Sequence, residues 1–428
     1  MNTTIYQAIG YTVKGGARVA QTMRILCKSG LGWVFGDRPP APKLMRKTFE
    51  KLGATYIKLG QFIASSPSLF PAEYVEEFQY CLDKTDPLPF KKIEPILKKE
   101  LGQPLSTLFS EIDPIPIASA SIAQVYGAKL VTGEDVVIKV QKPRVQDILL
   151  TDLNFLFICA KIMEWLIPNL WRTSLSAIIS EIQSTMMDEC DFYKEASNIE
   201  KFNQFLIETD NSDVVVPKVY SHASTLRVLT MERLYGVPLT DLESIQKYSK
   251  DPRETLLTAM NTWFASLMLC EFFHADVHAG NLMVLQDGRV GFIDFGIVGR
   301  IQAQTWMAMA AFMEGMSVAD YHQMATSMVK IGITDKTIDI DGLAADLEKL
   351  YHRLNELPMD PLAMLEVDEE EITKTMIAIF DLGKNYGIRF PREFAMLLKQ
   401  FLYFDRYNRI LSPDLNIFKD ERLVFLAD

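Results

Sequence analysis

The stretch His274-Ala275-Asp276-Val277-His278-Ala279-Gly280-Asn281, followed by Asp294-Phe295-Gly296, decides how this chain reads. Asp276 and Asn281 stand five apart, and Asn281 and Asp294 thirteen apart. Between them the apolar runs Asn281–Leu285 and Arg289–Ile293 flank Gln286-Asp287-Gly288, a hairpin signature. The pattern supplies one carboxylate in a loop and an amide and a second carboxylate on a hairpin. Hard oxygen ligands of this kind suit Mg²⁺, and a neighbouring carboxylate suits orientation of an attacking hydroxyl or water in phosphoryl transfer. Taken singly, each residue is an ordinary turn former or strand terminator. Only the joint spacing points to chemistry.

Upstream, Val136-Val137-Ile138-Lys139 reads as a strand with a lysine among apolar residues. The pattern resembles the strand whose lysine contacts nucleotide phosphates in kinases. Such a lysine costs desolvation unless an acid meets it. The candidate acid is Glu195, in Asp188-Glu189-Cys190-Asp191-Phe192-Tyr193-Lys194-Glu195. Kinases cover the phosphates with a glycine-rich loop. Here the corresponding register holds Ala118-Ser119-Ala120-Ser121-Ile122-Ala123. Each alanine adds a Cβ that restricts positive φ, so the loop is expected to be stiff and its nucleotide preference altered.

Further out, residues 1 to about 36 read as partly helical, up to the break Asp37-Arg38-Pro39-Pro40-Ala41-Pro42. Lys43 to about Glu100 has helical spacing, with Met45, Phe49, Leu52, Tyr56, Leu59 and Ile63 at three- and four-residue steps. Val125–Leu130 and Val136–Val140 read as strands around Thr132-Gly133-Glu134; Asp147 to about Phe205 is helical again. Val214–Val219 and Leu226–Glu232 are further strand candidates, Thr255–Phe273 a buried helix, and most of the chain after Gln302 helix. Helices, a small sheet with inserted helices, then a mostly helical half make an α+β class. The expected divisions are 1–110, a helical extension; 111–235, a sheet-bearing region; and 236–428, a mostly helical region.

The 428 residues are 48% hydrophobic and 23% charged, which supports a sizeable core. A net charge of −11 argues against non-specific nucleic-acid binding. Five scattered cysteines without a C-x-x-C fit a reducing compartment, hence an intracellular setting, and neither a disulfide framework nor a zinc site. No convincing transmembrane helix is found. Thr255–Cys270 is shorter than the roughly 20 residues a span needs, Leu153–Trp171 carries Lys161 and Glu164, and the tail Phe418–Leu426 is too charged and short. The apolar segment Leu153–Trp171 and the 20 methionines read first as core, and the acidic run Asp368-Glu369-Glu370-Glu371 as a solvated helix start.

These motifs resemble the UbiB/AarF-type (ADCK-type) protein-kinase-like family, over about Phe49 to Arg300. The distinctive K-x-G-Q motif is Lys58-Leu59-Gly60-Gln61, and the E-x-D motif is Glu189-Cys190-Asp191. Ser119 departs from the family's usual three alanines and a serine. The resemblance implies a two-lobed protein-kinase-like fold with an N-terminal helical extension. It implies ATP or ADP with Mg²⁺ as cofactors, Lys58 and Gln61 near the nucleotide, and Lys58 paired with Glu189 and Asp191. It further implies a Lys139–Glu195 ion pair, Asp276 as catalytic carboxylate, and Asn281 and Asp294 as Mg²⁺ ligands. Met231-Glu232-Arg233-Leu234 resembles the adenine-binding hinge, with Met231, Glu232 and Leu234 as its contributors.

The family is linked to prenylquinone biosynthesis and isoprenoid lipid homeostasis. The implied partners are therefore a nucleotide, a membrane surface, a prenyl-lipid or quinone precursor, and quinone-biosynthesis proteins, with no nucleic acid. The implied location is cytoplasmic or peripheral membrane. After Asp294-Phe295-Gly296 the chain enters helical text with no A-P-E motif, so a platform for protein substrates is not expected. An ATPase is the leading expectation. A small-molecule phosphotransferase and a nucleotide-gated scaffold or lipid chaperone without turnover are the alternatives.

Overall fold

The computed structural model describes residues 15–36, 38–64, 70–81, 87–166, 175–249, 251–270, 272–278, 280–334, 337–355 and 369–412. Ala279, the end of the segment Leu153–Trp171, Asp368 of the acidic run and the tail Phe418–Leu426 lie outside the described residues. The chain divides into two compact units: Met1–Ala64, Glu77–Ala196 and Val219–Arg233 form one, and Ser65–Glu76, Ser197–Lys218 and Leu234–Asp428 the other.

In the first unit, α1 (Gly16–Phe35) ends before the proline-rich break and α2 (Ala41–Leu52) starts on Pro40. Gly53, at φ +94°, separates α2 from α3 (Ala54–Ala64), so the spaced run from Met45 to Ile63 is divided between two helices. α4 (Ala72–Gln79), of which only residues from Glu77 on belong to this unit, and α5 (Phe90–Leu101) follow. The sheet has the order β1-β2-β3-β5, all antiparallel neighbours, with β1 Phe109–Ser119, β2 Ala123–Leu130, β3 Asp135–Gln141 and β5 Val228–Glu232. Tyr126, Ile138, Val140 and Val228 point from it into a core closed by Ile93 and Leu97 of α5. α6 (Val145–Leu166), α7 (Leu175–Asp188) and the start of α8 (Phe192–Glu208) complete this unit. Arg18 on α1 binds Asp152 on α6 through Nε and Nη2, at 2.9 and 2.7 Å, and also donates to the Leu52 carbonyl.

Sequence periodicity does not reveal β1. Pro114 and Pro116 interrupt it, and its register with β2 shifts three times. It is an edge strand, the place where a sheet tolerates proline.

In the second unit, β4 (Val214–Val215) pairs in parallel with β9 (Val290–Phe292), and β9-β8-β6 continues the sheet through β8 (Leu282–Leu285) and β6 (Gly236–Pro238). The strand expected over Val214–Val219 is limited to its first two residues, because Pro217 has no N–H to pair. α9 (Leu242–Tyr248) and α10 (Pro252–Leu269) follow, the latter capped by Asp251. The helix expected to reach Phe273 stops at Leu269, and β7 (Phe273–His274) instead pairs with β10 (Val298–Gly299). Helices α11 (Ala303–Ser317), α12 (Tyr321–Ile331), α13 (Ile340–Asn355), α14 (Glu369–Asn385) and α15 (Arg392–Leu411) fill the remainder. Trp263 of α10, fully buried, packs edge-on against Phe273 and Phe401 and lies against Phe404.

Candidate functional site

In the first unit the sheet sets Lys139. It lies on β3 opposite Val125 of β2 and Leu229 of β5. Its Nζ meets both oxygens of Glu195, at 2.8 and 3.0 Å, with the lysine 13% and the glutamate 4% exposed. The Phe192 ring lies 5.5 Å from the ammonium. The desolvation argument made from sequence is thus met by the acid it named. Glu195 is delivered by α8, whose start is capped by Asp191: Asp191 Oδ1 accepts from Tyr193 N at 3.1 Å, and its carbonyl from Lys194 N at 3.0 Å.

Lys58 forms the second pair of this unit. It sits on α3 and its Nζ lies 2.9 Å from Glu189 Oε2, both largely buried. Gln61, one turn on, is half-buried. Between Glu189 and Asp191, the Cys190 carbonyl accepts from Gln141 at 2.6 Å and Gln146 at 3.0 Å, which pins the acidic segment to β3 and α6. Burial pushes the Cys190 thiol up to about 12, so it is a packing residue and not a nucleophile. Gly60 answers a packing demand. A Cβ there would sit 2.6 Å from Phe78 Cδ1 and 2.9 Å from Cys81 Sγ.

The alanine-rich segment straddles a strand end: Ala118 and Ser119 close β1, while Ala120 and Ser121 form the turn into β2. The turn is held by Ala120 N donating to Ala123 O (2.9 Å) and Lys142 N to Ile122 O (2.8 Å). None of the four has a positive φ, which is why alanine and serine fit where glycine was anticipated. Ser119 Oγ is buried without a hydrogen-bond partner among the described residues. Met231 and Glu232 end β5, opposite Val137 and Val136, and Arg233 N donates to Asp135 O at 3.1 Å. Leu234 belongs to the second unit.

In the second unit the hairpin explains the spacing of thirteen. Leu282 pairs with Phe292, and Ile293 N donates to the Asn281 carbonyl at 2.9 Å, so Asn281 and Asp294 flank the open end of one hairpin. Asn281 Nδ2 donates to the Asp276 carbonyl at 2.9 Å and lies 3.4 Å from Asp276 Oδ2. The three residues named from sequence are therefore brought together. Spending the amide nitrogen on Asp276 turns the Asn281 amide oxygen the other way. Asp294 has φ +58°, in the left-handed region, which costs of order 1 kcal/mol for a non-glycine residue and marks a constrained site. An amide oxygen and a carboxylate on one hairpin end form a hard-oxygen donor set, which fits Mg²⁺.

Around Asp276 the charges are mixed. Lys399 Nζ lies 3.5 Å from Oδ1 and His278 Nε2 3.5 Å from Oδ2. Burial works to raise the carboxyl, but the neighbouring charges, Lys399 foremost and then His278, outweigh it and hold the group below the usual carboxylate range. His274 is fully buried, which pushes its imidazole down and keeps it neutral. Its Nδ1 accepts from Asp276 N at 3.2 Å, so its Nε2 carries the proton toward Ile293 O at 3.1 Å. Sequence reasoning missed Lys399, Gln400 and Tyr407 of α15 and Trp263 of α10, all of which touch residues 274–277.

Comparison with known proteins gives the family. A model of the ABC1 atypical kinase-like domain matches residues 80–328. The chain belongs to this family. It is 49% identical over 401 residues to an uncharacterized aarF domain-containing protein kinase of Arabidopsis thaliana, described as chloroplastic, covering 90% of this chain and 74% of that one. A probable protein kinase UbiB of Pseudomonas putida is 28% identical over 377 residues, 87% of this chain and 68% of the other. Among solved structures, a Mycobacterium tuberculosis protein in complex with erythromycin shares the fold with a TM-score of 0.52 and 21% identity, over 93% of this chain and 98% of that one. The α+β, kinase-like fold class is thereby established. No helix among the described residues is long and apolar enough to cross a membrane.

Proposed function

We propose that this chain binds Mg·ATP and hydrolyses it, in support of prenylquinone or isoprenoid-lipid metabolism. The observation that carries the reading is Lys139 held by both oxygens of buried Glu195, the arrangement that presents a lysine to nucleotide phosphates. Lys58, paired with Glu189, adds a second cation of the same unit, and Ser119 Oγ offers an unused hydroxyl on the alanine-rich segment. Ala118, Ala120 and Ser121 complete that segment, with Gln61 assigned to the nucleotide, Asp191 to Lys58 as a further acid beside Glu189, and Met231, Glu232 and Leu234 to adenine.

Mg²⁺ held by Asn281 and Asp294 would neutralise phosphate charge. Asp276, kept ionised by its neighbours, orients the attacking water by accepting a hydrogen bond from it. Neutral His274 fixes the backbone on which Asp276 sits. The quinone link draws on the relatives named UbiB.

A peripheral membrane setting is supported by two helices. α1 exposes Leu31, Trp33, Val34 and Phe35, carries Arg24 and Lys28, and contains no acidic residue, although the chain as a whole is acidic. The end of α6 exposes Ile162, Met163, Trp165 and Leu166. Basic, aromatic, apolar helix faces are suited to anionic lipid surfaces. The test is phosphate release from Mg·ATP by the full chain, with and without anionic vesicles and a quinone-headgroup phenol, for wild type and Asp294→Asn. Release that depends on Asp294 and rises with vesicles is expected. Nucleotide binding without release under every condition would overturn the ATPase reading.

A further inference from the structure

The loop that carries Asp276 is gripped by a helix beyond the matched domain of residues 80–328. Gln400 of α15 is fully buried, and its side-chain amide spans the catalytic position. Its Oε1 accepts from Val277 N at 2.8 Å, and its Nε2 donates to the Ala275 carbonyl at 2.8 Å. A second bond from Nε2 to the Met396 carbonyl, also 2.8 Å, ties the amide back to its own helix. Two turns on, Tyr407 Oη donates to the Val277 carbonyl at 2.7 Å. One glutamine and one tyrosine therefore satisfy three backbone groups on the two residues flanking Asp276. These groups are buried, and any of them left unpaired would bear the desolvation penalty of a polar group with no bond to offset it.

Lys399, adjacent to Gln400, reaches the carboxylate itself, with Nζ 3.5 Å from Asp276 Oδ1. Its ammonium lies 5.4 Å from the ring of Tyr403, one turn along the same helix, which restricts where the flexible stem can swing. From α10, Trp263 Nε1 donates to the His274 carbonyl at 2.7 Å, so residues 274, 275 and 277 all hand backbone groups to side chains of two helices. Those helices also pack on each other through Trp263 and Phe264 against Phe401.

We propose that α15 is a working part of the catalytic loop: Gln400 is a positioning residue that holds the backbone on both sides of Asp276, and Lys399 fixes the direction of its carboxylate. The inference rests on the reading of Asp276 as the carboxylate that orients the nucleophile. Proteins of this family that keep the domain but alter this helix would bind nucleotide and turn it over poorly. A structural role alone would lower stability without separating turnover from binding. A positioning role makes that separation.

The experiment uses the full chain with Gln400→Leu, Gln400→Glu, Lys399→Met and Lys399→Arg. Gln400→Leu removes every bond of the amide, Gln400→Glu keeps the acceptor for Val277 N, and the lysine pair tests the charge. Two readouts are taken: hydrogen exchange of the Val277 amide, and kcat and KM for phosphate release from Mg·ATP. Gln400→Leu is expected to speed exchange at Val277 by at least about tenfold and to lower kcat by about 10- to 100-fold, with KM within about twofold of wild type. Gln400→Glu should fall between. Lys399→Met should leave exchange unchanged and lower kcat about tenfold, and Lys399→Arg should restore most of it. Wild-type exchange in Gln400→Leu, or unchanged kcat in both Gln400→Leu and Lys399→Met, overturns the proposal. If Gln400→Leu does not fold, Lys399→Met and its arginine rescue decide. If wild type releases no phosphate, the ATPase reading fails, and the exchange rates alone decide whether α15 holds the loop.

Discussion

The two units bury ionisable groups in opposite ways. In the first, each lysine meets a glutamate: Lys139 with Glu195 and Lys58 with Glu189. In the second, Asp276 is held chiefly through backbone groups and neutral side chains, with Lys399 and His278 at 3.5 Å rather than in close salt bridges. A tight ion pair makes charge and stability inseparable, because deleting one partner strands the other. A carboxylate positioned by its backbone can lose its charge with little structural consequence. Function and stability should therefore separate in the second unit and stay coupled in the first.

The largest effect expected is at Asp276. Asp276→Asn keeps the shape, and phosphate release should fall by roughly 10²- to 10⁴-fold. The unfolding midpoint should move by no more than a few degrees, since the bonds to residues 275 and 277 remain. Single-turnover kinetics beside a thermal melt checks both. A large loss of stability would break the contrast.

Lys139→Met tests the other side. It leaves Glu195 buried without its cation, so stability should fall by about 3–5 kcal/mol, together with a 10- to 100-fold loss of ATP affinity of roughly the usual size for a phosphate-contacting lysine. Adding Glu195→Leu should return most of the stability and none of the affinity. Denaturant unfolding and nucleotide titration of both variants make the measurement. Recovery of affinity in the double variant would show that Lys139 acts on the fold and not on the nucleotide.

The contrast also governs what sequence could reveal. Asn281 and Asp294 were legible because a local hairpin brings them together and announces itself through its turn residues, and Asp276, five residues upstream, is joined to them through the Asn281 amide. Lys139 was legible because an ammonium amid apolar strand residues demands an acid, and Glu195 stood ready on the following helical text. The resemblance placed Lys58 beside Glu189, and the structure shows that pair; Asp191 is seen capping the helix that carries Glu195. Gln400 and Tyr407 were not legible. A buried glutamine in a helix carries no periodic mark, and its partners beside Asp276 lie more than a hundred residues away. β1 escaped because its prolines and register shifts erase the two-residue alternation by which a strand is recognised.

A smaller effect belongs to Gly60. Alanine there would drive a Cβ into Phe78 and Cys81, and the resulting shift should cost about 1–3 kcal/mol in stability. Lys58, two residues away, would be displaced from Glu189 by the same shift. Gly60→Ala should thus lower the denaturation midpoint and weaken nucleotide binding together, as the first unit's coupling requires. A variant that loses stability alone would show that the glycine serves packing only.

The smallest expected effect sharpens the comparison most. Ser119 Oγ is buried with no hydrogen-bond partner among the described residues, so in the ligand-free chain the hydroxyl contributes a desolvation cost and no bond. Ser119→Ala removes that cost at nearly constant volume and should leave stability unchanged or raise it by up to about 1 kcal/mol. If the hydroxyl donates to a nucleotide phosphate, the same change should weaken ATP binding by about three- to tenfold, one lost hydrogen bond to a charged group. Stability and affinity would then move in opposite directions at a single atom of the first unit, where the lysine pairs make them fall together. Calorimetric titration with ATP, run beside a thermal melt, reads both signs. Unchanged affinity would remove Ser119 from the nucleotide site and leave the alanine-rich turn a purely structural closure of β1 on β2.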